Sequence, residues 1–530
     1  MSETADAVII GSGIAGAMCA WRLAQKGMNV LILEAGPRIN RSDIVHAFTT
    51  THKLDLSAGF PNPPWAPRPD WGNPSDDYIR QTGPETASLE YLRVVGGTTW
   101  HWNGNALRLI PSDFRLKSTY GVGVDWPIEY ADLESYYVEA EREMGIAGDN
   151  DADKDAPRSA PFPLPPPPRN YGDRLVIERL APLGMKFVSR GVALNTLPYD
   201  DRPQCEGFSV CSPICPLGAM YSAIVHVEKA ETLGVRVIEN ARVDRLEASS
   251  DGRLIAAHFV RPDGMTGIAS GRIFVLAAHG LESPRLLLAS ASETFPGGIA
   301  NRSDQVGRNF MDHPSCNVRA VMPEPVYMGR GPDPSSVSFD HREGPLRSDE
   351  AAFTIALGNR VPLHDIAVRY LELDLFPPEL DRAIHDHALR HIEIDCQIEQ
   401  LPRAGNRVTI DWTDRDSAGQ PRLVLHYSLS DYEKRAVARV RSQYQKMVSA
   451  LGARDEIHSD LYSHHHLMGT LRMGDNPRTS VVDAFCRAHD HPNLFVVGSS
   501  VFPTGGTANP TLSIAALSLR TANAIGRYFP

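Results

Sequence analysis

The chain is short of several things, and each shortage excludes a class of protein. No uninterrupted apolar run approaches the ~18 residues that read as a membrane-spanning helix. No basic block exists: 53 Lys and Arg stand against 64 Asp and Glu, for a net charge of −11, a poor balance for gripping nucleic-acid phosphates. Cysteine is scarce, with seven in 530 residues, too few for a disulfide framework. No motif recurs at a fixed period, so solenoids and propellers are out. Residues Met1-Ser2-Glu3-Thr4-Ala5-Asp6 lack the positive start of a secretory signal, and no removable segment is expected. What remains is a globular composition whose length predicts two or three domains at ~100–200 residues each.

The N-terminal stretch carries the most specific pattern. Ala7-Val8-Ile9-Ile10 reads as a buried strand, Ile14 to about Lys26 as a helix stopped by Gly27, and Asn29 to Leu33 as a second buried strand. Two continuous apolar strands joined by a helix predict a βαβ unit in a parallel sheet. Between strand and helix lies Gly11-Ser12-Gly13-Ile14-Ala15-Gly16, and Glu34 closes the second strand. Gly11 permits the tight turn, Gly13 lets backbone approach a pyrophosphate, and Gly16 allows close helix–strand packing. The helix N-terminus offers free N–H groups to phosphate, and Glu34 can accept from a ribose. The position at the start of the chain and the following Ala35-Gly36-Pro37 favour FAD over NAD.

Further along, residues 44–77 read as a long irregular excursion, and the proline run 161–168 as extended polyproline, a strap rather than a linker. Ile273 to Leu276 predicts another strand, with Pro284 as the first residue of the helix after it. Residues 319–460, with short segments such as 407–410 and 423–427, predict an antiparallel second domain. Strand 494–497 and helix 512–525 return to α/β character.

Three other places carry chemistry. Gly96-Gly97-Thr98-Thr99-Trp100-His101-Trp102-Asn103 is either a glycine turn held against a flat cofactor ring or an ordinary turn capped by core tryptophans. His464-His465-His466 cannot all face one way on extended backbone, which disfavours a metal and suits general acid–base work. Asn509-Pro510-Thr511 before the last helix reads first as an N-cap with Pro510 at N1, and second as a site where Asn509 binds a substrate hydroxyl. Finally, Cys205, Cys211 and Cys215, followed by Pro216, crowd into eleven residues. An iron–sulfur centre, a zinc site completed from elsewhere, and plain core thiols all remain open.

Taken together, these segments and Gly307-Arg308-Asn309-Phe310-Met311-Asp312-His313-Pro314 resemble the glucose–methanol–choline (GMC) flavin oxidoreductases over essentially the whole chain. The resemblance implies a Rossmann-like α/β FAD-binding domain (1–110, 200–318 and 461–530) with a mainly antiparallel α+β substrate domain (111–199 and 319–460). It implies that His466 takes the alcohol proton while hydride passes to FAD, and that Asn509 holds the substrate oxygen. It also implies that Val243, Ala277, Gly498, Ser499 and Thr511 border FAD. The cysteine segment looks like that of bacterial three-subunit sugar dehydrogenases. That likeness implies a [3Fe-4S] cluster on Cys205, Cys211 and Cys215 and electron transfer to a multihaem cytochrome c subunit. It further implies a small chaperone-like subunit and co-export to the periplasm, with a cytoplasmic location as the alternative. The substrate would be a sugar, glycoside or polyol. The histidine segment is closer to pyranose 2-oxidase and glycoside 3-oxidising enzymes, which implies C2 or C3 oxidation as the alternative. His101 corresponds there to a histidine bonded covalently to FAD.

Overall fold

The computed structural model describes residues 1–51, 59–69 and 78–528. β1 (Ser2–Ile10), α1 (Ile14–Gln25) and β2 (Val30–Leu33) form the expected unit. β1 lies between β2 and Thr266–Leu276, parallel to both. Arg236–Ile238 extends the parallel set beyond β2, and Leu494–Val496 pairs in parallel with Thr266–Leu276. Arg242–Ala248 and Leu254–Val260 complete a seven-stranded mixed sheet with antiparallel pairings. Residues 7–10 and 30–33 are almost wholly buried, which a parallel sheet covered on both faces requires. The final helix, Thr511–Tyr528, covers one face beside α1 and packs on Tyr130–Met144, where the Tyr137 and Ser513 hydroxyls lie 2.7 Å apart.

A six-stranded antiparallel sheet forms the second layer, in the order Arg454–His458, Asn317–Val321, His391–Ile398, Phe353–Gly358, Pro334–Ser338, Val188–Ser189. Alternate residues face opposite ways. Val318 and Ala320, Ile392, Ile394 and Ile398, and Phe353, Ile355 and Leu357 point into one apolar core, against Tyr444 and Met447 of helix Asp431–Leu451.

Four local expectations change. Arg41–Thr50 is a helix, so the irregular stretch begins later than residue 44; 52–58 and 70–77 lie outside the described residues. Pro284 is the third residue of helix Glu282–Ala289, still within the first turn where its missing N–H leaves no helical bond unmade. Segments 407–415 and 421–426 are strands, but they join Ile79–Thr82 in a separate three-stranded sheet. Asn509 is not the cap of the last helix, which begins at Thr511. The proline run has no helix or strand, and Leu164 bridges to Ala147 along it.

One buried charge cluster joins distant segments. Arg347 pairs with Asp113 and, at 2.6 Å, with Glu399; all three side chains are shut off from solvent. Breaking a buried pair from one side leaves the other charge stranded. Arg347→Met is therefore expected to lower the unfolding free energy by roughly 3–5 kcal/mol, measured by denaturant titration. A loss below the threshold of measurement would show that the carboxylates find other partners.

Candidate active site

Ligands of open α/β sheets bind outside the carboxyl ends of the parallel strands. Here Gly11 follows β1, Glu34 follows β2, Ala277 follows the strand ending at Leu276, and Gly498 lies just beyond the strand ending at Val496. All four border one cavity of about 1090 Å³. That exceeds the ~300–1,000 Å³ of ordinary ligand pockets, leaving room for a dinucleotide and a second molecule.

The residues suit a dinucleotide. The start of α1 has no side-chain cap and no acidic residue in its first turn, so its free N–H groups are left for an anion. A Cβ on Gly13 would meet nothing within 4 Å, so its backbone stands open to the cavity. A Cβ on Gly97 would lie 2.9 Å from the Gly13 Cα, so the two glycine turns press together. Gly97 also has φ +60°, a conformation that side chains rarely adopt. Glu34 is buried and accepts from Ser12 N (2.9 Å), Ser12 Oγ (2.6 Å) and Gly36 N (3.0 Å). Burial raises its pKa, and these bonds oppose the rise.

Of the other residues singled out in the sequence, Ile14, Ala15, Ala35, Thr98, Thr99, His101, Trp102, Asn103, Val243, Ser499 and Thr511 line the same cavity. Gly16 and Gly96 do not. Gly16 abuts the Gly11 carbonyl, and Gly96 packs against Trp100 and Ile224, so both serve backbone packing. His101 is buried with Nδ1 3.6 Å from Glu90, and desolvation, with Arg68 and His465 adding to it, pushes its pKa down to about 3.

At the far end of the cavity His466 Nε2 faces Asn509 Nδ2 at 3.2 Å, bringing together residues 43 apart in sequence. His464 stacks on His466 at 5.6 Å and donates through Nε2 to the Cys396 carbonyl at 2.8 Å. All three histidines of the run border the cavity, with His465 at φ +59° turning the chain. Burial, then the neighbouring His313, His464 and His465, hold the His466 pKa well below 6.5. His313, quoted in a motif but given no role in the sequence, touches His466 at 2.8 Å.

The sheet supplies the floor. Its second face presents Asn317 and Arg319, Glu393 and Asp395, and Thr354 to the cavity. Register sets the pairs: Arg319 lies opposite Glu393, Asn317 opposite Asp395, and Thr354 opposite Gln397. The small residues Ala356 and Gly358 lie opposite Asp395 and Glu393, and the Glu393 side chain packs over Gly358. Arg360 reaches Asn103 at 2.9 Å and pairs with Asp333. The sequence hid this floor because each polar residue is separated from the next by a core residue.

Cys205, Cys211 and Cys215 border a second cavity of about 20 Å³. Gly207 N donates to Cys205 Sγ at 3.4 Å, and Met220 N to Cys215 Sγ at 3.5 Å. Trp102 packs against this cluster and also lines the large cavity. The donor chemistry suits iron or zinc, but convergence does not: among the described residues no three His, Cys, Asp or Glu side chains come together closely enough to hold a metal ion.

With this geometry in view, a family profile described as GMC oxidoreductase matches residues 402–518, and one described as FAD dependent oxidoreductase matches residues 6–53. The fructose dehydrogenase large subunit of Gluconobacter japonicus is 38% identical, covering 98% of both chains. The chain belongs to the GMC oxidoreductase family. It is an FAD-dependent oxidoreductase of CH–OH donors. A 2-methyl-1,2-propanediol dehydrogenase of Mycolicibacterium austroafricanum is 29% identical over 100% of this chain and 96% of its own. The crystal structure of pyridoxine 4-oxidase from Mesorbium loti shares the fold, with a TM-score of 0.64, 19% identity and 98% coverage of each chain.

Because Gly97 has no room for a side chain, Gly97→Val should strip flavin from the folded protein. The check is flavin absorbance per mole of protein alongside circular dichroism. Full flavin content in a normally folded variant would contradict the close-approach argument.

Proposed function

We propose that the protein oxidises a ring or chain hydroxyl of a sugar, glycoside or polyol to a carbonyl. One observation carries this: the cavity floor alternates guanidinium, carboxylate and amide groups that can donate to and accept from several hydroxyls at once, with small residues between them. Several of these groups also pair with one another, as Arg319 does with Glu393 at 2.9 Å, so the floor is a pre-ordered polar surface that a polyhydroxylated substrate can join at more points than a simple alcohol can. The likeness to a fructose dehydrogenase large subunit agrees with this reading.

The residues divide the work. His466, neutral across the physiological range, takes the hydroxyl proton at Nε2. Asn509 Nδ2 donates to the substrate oxygen and fixes which hydroxyl meets the base. Alkoxide character on that oxygen turns the adjacent carbon into a hydride donor. Bound FAD supplies the two-electron acceptor. The N-terminus of the final helix, at Thr511 on the cavity wall, contributes partial positive charge there.

His466→Ala should slow flavin reduction by about 10²–10⁴-fold with FAD still bound. Anaerobic stopped-flow with D-fructose, D-glucose, D-sorbitol and methyl glucoside provides the assay. Retention of wild-type rates on whichever of these bleaches the flavin would remove His466 as base; no bleaching by any of them would sink the substrate reading. Since the His466 pKa is lowered, its base form persists as pH falls. The reduction rate should stay level from about pH 8 down through 6.5 and decline only below that.

We further propose that the cysteine triplet binds a [3Fe-4S] cluster delivering electrons to a cytochrome c subunit on the periplasmic side. The spacing, the shared cavity and the N–H···S bonds support this, as does the 38% identity to the large subunit of a fructose dehydrogenase. The loop has to draw inward for three sulfurs to share one cluster. Chemical analysis should find about three irons per chain, lost in Cys211→Ser while FAD remains. Iron-free protein, or peroxide as the stoichiometric product, would favour an oxygen-using enzyme with structural thiols.

A further inference from the structure

We propose that His313 sets the tautomer of His466, and so decides that the ring nitrogen facing the substrate is the one able to accept a proton. This rests on His466 being the base, as argued above.

The inference follows from counting ring protons. His313 Nε2 lies 3.0 Å from the Gly506 carbonyl oxygen. A carbonyl only accepts, so the His313 proton is on Nε2. Burial, with His464 adding to it, pushes the His313 pKa down to about 3, so the ring carries that proton alone. Its Nδ1 is therefore a bare lone pair. It faces His466 Nδ1 at 2.8 Å, a contact between two nitrogens that needs exactly one proton. That proton belongs to His466. Being neutral as well, His466 then has nothing on Nε2. The Asn509 amide gives the same answer from the other side, since it presents Nδ2, a donor, to His466 Nε2.

Neither ring is free to drift out of this arrangement. Asp312 Oδ1 accepts the backbone N–H of His313 at 2.7 Å and of His466 at 2.8 Å. The Gln400 amide oxygen accepts from Asp312 N at 2.8 Å. The rings of His313 and His466 meet edge to face, with centroids 5.0 Å apart. The other titratable groups around His466 are His464 and His465 of its own segment; Asp312 accepts its backbone N–H, and Asp395 approaches His464 at 3.6 Å.

During turnover the substrate O–H bond breaks and its proton moves to His466 Nε2. The C–H bond breaks with its electron pair leaving as hydride, for which bound FAD would supply the two-electron acceptor. The Nδ1 proton of His466 stays between the two rings, where His313 Nδ1 receives a stronger hydrogen bond from the imidazolium than from the neutral ring. His313 touches neither substrate nor reacting carbon on this account, and is a positioning residue.

The test compares His313→Gln with His313→Leu and His313→Met. A glutamine can accept from His466 Nδ1–H through its oxygen and donate to Gly506 through its nitrogen. The two apolar residues can do neither, and two of them guard against one failing to fold. Holoenzymes are assayed by anaerobic flavin reduction against pH, with the best donor among D-fructose, D-glucose, D-sorbitol and methyl glucoside. Gln should reduce flavin within about fivefold of wild type and keep the level pH profile. Leu or Met should fall by about a hundredfold or more, the scale of a lost general base, with the substrate concentration for half-saturation little changed. Their residual rate should climb with pH as substrate ionises without help. Apolar variants as fast as wild type, or Gln as slow as the apolar pair, would overturn the proposal. His466→Ala in parallel separates the two levels. If it too reduces flavin normally, the base assignment is at fault; if only His466→Ala is dead, the role of His313 alone fails.

Discussion

Successive side chains of a strand leave on opposite faces, and the six-stranded sheet uses that fact twice. Val318, Ile392 and Ile394 fasten it to helix Asp431–Leu451, while their immediate neighbours Asn317, Arg319, Glu393 and Asp395 form the cavity floor. A slip of one residue in register would exchange the two sets, putting charges in the core and aliphatic groups in the site. The apolar face thus fixes register, and register fixes which polar groups line the cavity. Stability and recognition are specified by the same alternation.

The parallel sheet imposes a second constraint at right angles to the first. Its strands end together, so the residues just after them collect at one edge although they come from Gly11, Glu34, Ala277 and Gly498. The cofactor cleft follows from strand direction. Between this edge and the polar floor stands the paired-histidine unit, held through the backbone by one carboxylate. Asp312 is buried and desolvation raises its pKa to about 6, opposed by the N–H bonds it accepts. The arrangement places an electrostatically costly group where two catalytic-side segments must be kept in fixed relation.

What could be read in advance was what local geometry dictates. The β1–α1–β2 unit and its glycines are specified within about thirty residues, and the structure has them in the expected form. The antiparallel character of the later region was also visible, because short alternating strands need no partner to be recognised. Partners were another matter. Strand 421–426 pairs with Ile79–Thr82 across more than three hundred residues, and nothing in either segment announces it. Helix Arg41–Thr50 was masked by polar composition: among its residues only Ile44 is buried, so no apolar stripe marks it. Asn509 fitted a cap by position, yet it stands before the helix start with its amide facing His466. His313 escaped notice because its role exists only in contact with a ring 153 residues away. The cysteines were conspicuous in spacing, but spacing does not fix sulfur-to-sulfur distance, and the thiols share a cavity without converging.

The order in which the sheet is assembled bears on how the protein matures. Its β1–α1–β2 edge is built from residues 2–34, yet the strand 494–496 and the helix 511–528 that flank it are synthesised more than four hundred residues later. While a ribosome is still translating the substrate layer, the glycine turns are exposed with one wall missing, and the histidine run has not been synthesised. The cleft beside Gly11 and Gly13 therefore lacks the wall formed by Gly498 and Thr511 until residues 494–528 have been made.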